Sequence, residues 1–218
     1  MSMTKHNVFV AGGTGYLGAR LIAELLQRGH EVRALARPDS EQKLPAGCTP
    51  IMGNALDKNS YMNAIQPADT FVHLVGVSHP NPSKAEQFRT IDLASVQNSV
   101  PAAVAAGIEH FVYVSVAHPA PVMQAYWQTR AECETIIRNS QLNATILQPW
   151  YVLGPGHWWP YVLVPMYWVS ERIPATRETA QRLGLVTLPQ TLRALVHAVE
   201  NPLQGMRVWG VPQIRKFK

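Results

Sequence analysis

The stretch "VFVAGGTGYLGARLIAELLQRGHEV", Val8 to Val32, decides the fold. The apolar run "NVFVA" (7–11) reads as a buried strand. From Tyr16 to Gln27 the pattern is helical, an apolar stripe built on Leu17, Leu21 and Leu25 with a polar back, and Gly29 stops it. Between strand and helix stand Gly12, Gly15 and Gly18, spaced G-x-x-G-x-x-G. The first glycine allows a tight turn, the second lets a pyrophosphate approach the backbone, and the third lets helix and strand pack closely. Amides at the helix start then face the phosphates. The same triplet could be a turn without a ligand; opening a series of strand–helix units, it predicts a dinucleotide site.

Working outward, further apolar runs fall at 31–36, 49–52, 70–75, 110–115 and 144–148, with helical patterns over Lys58–Ile65, Lys84–Ala106 and Gln124–Asn139. Alternation of this kind predicts an α/β fold, a doubly wound parallel sheet of Rossmann type. Pro101 kinks the third helix or marks a late start within it. After Pro149 the character changes to aromatics and prolines, then to a helical "PQTLRALVHAVENP" and a closing strand "MRVWGV". One domain is expected over residues 1–218, with 149–218 a substrate-side elaboration.

The 218 residues suffice for one well-buried core, and 47% of them are hydrophobic. A formal charge of +5 is partly spent in the tail "IRKFK", which reads as a solvated end and not as a nucleic-acid patch. Cys48 and Cys133 are the two cysteines, so no disulfide scaffold is expected and a reducing compartment fits. The N-terminus runs almost at once into a strand, and no apolar run reaches membrane-spanning length; a cytoplasmic protein without integral membrane segments is expected.

The second strand carries the selector for the cofactor. NAD-preferring folds place a carboxylate at its end to take the ribose 2′-hydroxyl. Here "VRALARPD" offers Arg37, with Arg33 earlier and Asp39 too late. Arg37 reads either as a fork for a 2′-phosphate or as a solvated arginine; the first makes NADP the expected cofactor in preference to NAD.

Taken together, "VFVAGGTGYLG", "VRALAR", "GNALD", "FVHLVG", "HFVYVS", "YWQTRAECE" and "ATILQPWYVLGPG" resemble, in order and spacing, the atypical and extended short-chain dehydrogenases/reductases. The resemblance runs from about residue 7 to 156 and is nearest to NmrA-like and epimerase/dehydratase-like NAD(P)-binding proteins. It implies that Gly12, Thr14, Gly15, Tyr16, Leu17 and Gly18 touch the pyrophosphate and Arg37 the 2′-phosphate. Asn54 and Ala55 would lie near the adenine, though Asn54 reads equally as a loop cap. Val75 and Gly76 would flank the ribose, and Pro149, Tyr151 and Val152 the nicotinamide.

The resemblance also implies a catalytic tyrosine with a lysine four residues on, one helical turn apart on the same face. Tyr126 stands in the tyrosine's place, but position 130 is arginine, whose planar fork does not mimic a compact ammonium. Tyr126 reads as a general acid/base or as a wall tyrosine. Arg130 would hold the ribose, with Glu134 a surface partner. Ser115 falls slightly early for the family's catalytic hydroxyl and either serves there or lines the cofactor site.

Eight histidines show no ligand spacing, so no metal site is expected, and G-x-S-x-G is absent. His73 reads as a satisfied core residue; His118 and His157 fall in loops above the strand ends. The segment "PWYVLGPGHWWPYVLVPMYW" holds four of the six tryptophans. Core packing is its first reading, with an apolar substrate pocket, a homodimer or protein contact over 150–168, or a membrane-surface contact as alternatives. Its shortness makes a nucleotide sugar a poor fit. The expected function is NADPH-dependent reduction of a small or apolar carbonyl compound; the alternative is a non-catalytic NADP-binding redox sensor or assembly protein.

Overall fold

The computed structural model describes residues 4–156 and 159–218. Among the described residues the strands are β1 (Asn7–Ala11), β2 (Glu31–Ala36), β3 (Thr49–Met52), β4 (Thr70–His73), β5 (His110–Val114), β6 (Ala144–Gln148), β7 (Tyr151–Leu153), β8 (Leu185–Thr187) and β9 (Met206–Gly210). The helices are α1 (Tyr16–Gln27), α2 (Ala85–Gln87), α3 (Ala94–Ala105), α4 (Gln124–Asn139), α5 (Val164–Ser170), α6 (Pro174–Arg182), α7 (Leu188–Glu200) and α8 (Val211–Ile214). Seven strands make one parallel sheet in the order β3-β2-β1-β4-β5-β6-β9, while β7 and β8 pair beside it. This is the expected Rossmann-like α/β fold. Strand order reverses between β1 and β4, and in such sheets ligands sit beyond the carboxyl ends of the strands at that switch point.

Alternation along the strands divides the core into two layers. Val8, Val10, Val32 and Ala34 face Leu21, Ile22 and Leu25 of α1 and Leu192, Leu195 and Val199 of α7. Phe9, Leu35, Phe71 and Phe111 face the other way, toward Val96 and Val100 of α3 and Cys133 and Ile137 of α4. The three phenylalanines sit side by side across β1, β4 and β5, with ring centroids 5.1 and 5.2 Å apart. Each such side chain contributes roughly 1.5–3 kcal/mol by leaving water. Both cysteines are free.

Several expected elements are altered. Strands β4 and β5 stop at His73 and Val114, two residues and one residue early. The helix expected over Lys58–Ile65 is two short 3-10 turns, the first capped by the Asp57 carboxylate accepting from the Asn59 amide. The span Lys84–Ala106 is not one helix: α2 passes into a π-helical stretch, Phe88–Leu93, and only then into α3. Pro101 neither starts nor ends α3; it lies inside it on the exposed side.

Candidate functional site

The glycine loop is built by close backbone contact. Gly12 has φ +88°, the left-handed region, and a Cβ there would lie 2.7 Å from the Leu74 carbonyl carbon beyond β4. Only glycine lets the two strand ends approach so closely. Gly15 caps α1 without any side-chain hydrogen bond, and no acidic residue stands in the first turn. That end of the helix therefore offers its partial positive charge to an outside anion.

Beyond the strand ends lies a cavity of about 440 Å³, the size of a small-molecule site. Gly12, Thr14 and Gly15 line it from β1, Arg37 from β2, Asn54 and Ala55 from β3, and Val75 and Gly76 from β4. Tyr16, Leu17 and Gly18 do not line it; the Tyr16 hydroxyl packs against Gly154. Four polar residues that sequence reasoning missed do line it: Ser40, Ser78, Lys84 and Gln87. No carboxylate is among the lining residues, and Arg37 and Lys84 are its two cations. A glycine cradle, an uncapped helix end and two cations fit the phosphate-bearing part of a dinucleotide.

The two arginines of β2 part company. Arg33 donates to the Gln66 carbonyl at 2.7 Å and the Ala64 carbonyl at 3.4 Å. Arg37 is exposed, and no described residue accepts from its guanidinium. Asn54 takes the loop-cap role, its side-chain oxygen accepting from the Leu56 amide at 3.0 Å. Lys84 donates to the carbonyls of Ser78 at 2.6 Å and His79 at 3.2 Å, which leaves its ammonium one donor over.

On the other side of β4 the polar groups are already engaged. Arg130, 6% exposed, pairs with Asp92 at 3.0 Å and donates to the Tyr113 hydroxyl and the Val114 carbonyl, both at 3.1 Å. Asp92, on the π-helical stretch, also accepts from the Val77 amide at 2.7 Å. Burial pushes the Asp92 carboxyl up, with Arg130 pulling the other way. A Cβ at Gly76 would collide with the Arg130 guanidinium, so glycine there lets the arginine reach the end of β4.

Glu134 is not Arg130's partner and not on the surface. It is buried and accepts from Ser115 at 2.6 Å and Gln148 at 2.8 Å, with the His118 ring 3.2 Å away. Burial raises its carboxyl, yet hydrogen bonds from His118, Ser115 and Gln148 outweigh that and hold it below the usual 4.5. Tyr126 is half-buried, its ring 4.9 Å from that of Phe88, with the Arg130 guanidinium 5.4 Å from the ring centre. So Tyr126 and Arg130 are neighbours, whereas the Ser115 hydroxyl is given to Glu134. Tyr126 lines a separate cavity of about 280 Å³ with Phe88, Pro82 and residues 121–125, the approach to α4 and its first turn.

Residues 12–155 match the sequence profile of the family described as NAD(P)H-binding. The chain belongs to the NAD(P)H-binding family. A 3-beta-hydroxysteroid dehydrogenase of Mycolicibacterium neoaurum is 30% identical over 114 residues, covering 50% of this chain and 31% of its own length. A ceramide reductase of Caulobacter vibrioides is 23% identical over 201 residues, 91% of this chain and 62% of its own. Both relatives are longer, and the chain spans less than two thirds of either. A short-chain dehydrogenase/reductase superfamily protein from Agrobacterium tumefaciens with bound NAD has the same fold, with a TM-score of 0.69 at 17% identity over 94% of this chain and 77% of that one. The expectation of an NAD(P)-binding chain with dehydrogenases and reductases among its relatives is borne out.

Within this NAD(P)H-binding chain the remaining expected residues scatter. Pro149 is buried and its carbonyl accepts from the Ala117 amide at 2.9 Å, while Tyr151 and Val152 belong to β7 and pair with β8. None of the three lines the larger cavity. His118 stacks on Trp127, with ring centroids 6.1 Å apart. His73 is buried beside Phe111 and Tyr113, and burial together with Arg130 pushes its pKa down to about 3. His157 lies outside the described residues. Core packing holds for the first part of the aromatic segment, where Pro149 and Leu153 are buried and Trp150 packs on the core, and not for α5, which buries none of its residues, nor for Val162 ahead of it, which is 75% exposed. Among the described residues no helix is long and apolar enough to cross a membrane, and no three His, Cys, Asp or Glu cluster as ligands.

Proposed function

We propose that the chain binds NADPH across the ends of β1 to β4 and uses it to reduce a carbonyl compound with a large apolar body. The observation that carries this reading is the cavity with Gly12, Thr14 and Gly15 on one wall, the unpaired Arg37 on another, and no carboxylate. Arg37 would fork onto the 2′-phosphate, and the loop amides would hold the diphosphate. NADPH, when bound, supplies the hydride. Tyr126 lines the separate smaller cavity but is joined to the larger one through Arg130, which abuts Gly76; from there it would give its phenolic proton to the carbonyl oxygen, with the Arg130 charge beside its ring. Phe88, with Tyr126, would keep water from one side of the reacting group. Relatives named for a hydroxysteroid and for ceramide support an apolar substrate.

A second reading is a cofactor-sensing or assembly protein without turnover. It is favoured by one observation: the Ser115 hydroxyl is taken by Glu134 and Arg130 is paired with Asp92, so only Tyr126 of the three is without a buried carboxylate partner.

Titration of NADPH and NADH followed by nicotinamide fluorescence, then turnover with a panel of steroid and lipid ketones, tests both. The expected result is tighter binding of NADPH than NADH, and a loss of roughly ten- to a hundredfold in NADPH affinity in Arg37→Ala with NADH unchanged. Tyr126→Phe should abolish turnover without changing NADPH binding. Equal affinities for the two cofactors would remove the NADP assignment. NADPH binding with no turnover on any ketone would leave the sensor.

A further inference from the structure

We infer that the face formed by residues 161–173 docks on an anionic lipid surface. Among the described residues twelve large apolar side chains are exposed, and seven of them fall in this short span. They are Tyr161, Val162, Val164, Met166, Trp168, Val169 and Ile173, with Val162 75% and Trp168 58% exposed. Isolated exposed apolar residues need no explanation, but seven of them gathered within residues 161–173 mark a contact surface. α5 has seven residues, too few to span a bilayer, so the contact proposed is with its surface.

Charge decides the occupant. Residues 161–182 with the tail 215–218 hold Arg172, Arg177, Arg182, Arg215, Lys216 and Lys218 against Glu171 and Glu178. The tail is tied to the patch, because Arg215 pairs with Glu171 at 2.7 Å and donates to the Leu185 carbonyl at 2.8 Å. A second copy of the chain would bring the same cations against one another, whereas phosphate headgroups attract them. The Arg172 guanidinium lies 3.5 Å from the centre of the Trp168 ring. An indole with a stacked guanidinium suits the boundary where acyl chains meet phosphates, the ring in the apolar zone and the charge at headgroup level.

The docking inference does not depend on catalysis. Tyr161 and its neighbours adjoin β7, which carries Tyr151 and Val152.

The test is co-sedimentation of the full chain with vesicles of phosphatidylcholine plus phosphatidylglycerol, and with phosphatidylcholine alone, alongside the mass of the protein in solution. The chain should pellet with the anionic vesicles and release at high salt. Val162→Asp with Trp168→Asp should lower the bound fraction roughly tenfold, and Arg177→Glu with Lys216→Glu should remove the preference for anionic lipid. All four positions are exposed, so circular dichroism and NADPH affinity should stay as in the parent. Loss of NADPH binding in the parent would count against the cofactor reading and leave the lipid result standing. The inference is overturned if the parent stays in the supernatant, if the apolar double variant still binds, or if the parent is a dimer that this variant splits.

Discussion

Arg37 and Arg130 both stand at the carboxyl end of the sheet, and motif reasoning places both against a dinucleotide. Their surroundings differ. Arg37 is exposed beside a cavity without carboxylates and has no described partner. Arg130 is buried, paired with Asp92 and bound to Tyr113 and Val114. The same contrast holds between the cavity side, with Arg37 and Lys84, and the α4 side, where Glu134 gathers Ser115, Gln148 and His118. A polar side chain left unpaired at a strand end is available to a ligand, whereas one that is paired and buried holds the fold. Residue type at a motif position does not separate the two; pairing does.

The largest test of this contrast removes Arg130's counter-charge. Asp92→Ala would strand a buried guanidinium and free the Val77 amide, costing about 3–5 kcal/mol in urea unfolding. Arg37→Ala, facing solvent, should leave stability within about 0.5 kcal/mol. If Asp92→Ala costs no more than Arg37→Ala, Arg130 is not structural and its place at a ribose returns.

Acid reads out the same buried side. His73 has a folded pKa of about 3 against an ordinary 6.5, through burial and then the Arg130 charge, and His110 one of about 4, through burial and then Arg207. Above 6.5 both are neutral folded or unfolded and contribute nothing to the pH dependence. As pH falls below 6.5 the unfolded chain takes up protons that the folded chain refuses. Each histidine then removes stability, at a rate approaching about 1.4 kcal/mol per pH unit, until its folded pKa is reached. Unfolding free energy measured from pH 7 to pH 5 should fall, and His73→Phe should flatten the slope by its share. An unchanged slope would mean that His73 is protonated in the folded chain.

Legibility in the sequence follows the same division. Strands β1, β2, β3 and β6 and helices α1 and α4 have the bounds that pattern alone predicts, because short apolar runs stopped by glycine, proline or a polar turn leave one solution. The cavity residues of the glycine loop were legible for the same reason, since backbone geometry demands them. The π-helical stretch Phe88–Leu93 was not, because an extra residue in a helical turn leaves no period to detect. Asp92 did leave a trace, a lone acid flanked by Ile91 and Leu93, and such an acid, once buried, needs a partner. Ser40, Ser78, Lys84 and Gln87 come from turns or from a short helix, where no periodicity marks a side. The Tyr161–Ile173 span shows the limit of composition, since the same aromatics would read alike inside a core and on an exposed face.

The smallest effect, and the most discriminating, is expected at Lys84. Its ammonium donates to two carbonyls of its own loop and has one donor left, beside the cavity that Gly12, Gly15 and Gly76 line. An ammonium is a point charge and adds attraction without the fork that distinguishes a 2′-phosphate. Lys84→Gln should therefore weaken NADPH and NADH by a similar factor, roughly three- to tenfold, and the loss should shrink as salt rises. Arg37→Ala should weaken NADPH alone. A Lys84 effect confined to NADPH would put both cations on the 2′-phosphate and leave the diphosphate to the loop amides. No effect at all would make Lys84 a loop fastener, on the buried side of the division despite its place beside the cavity.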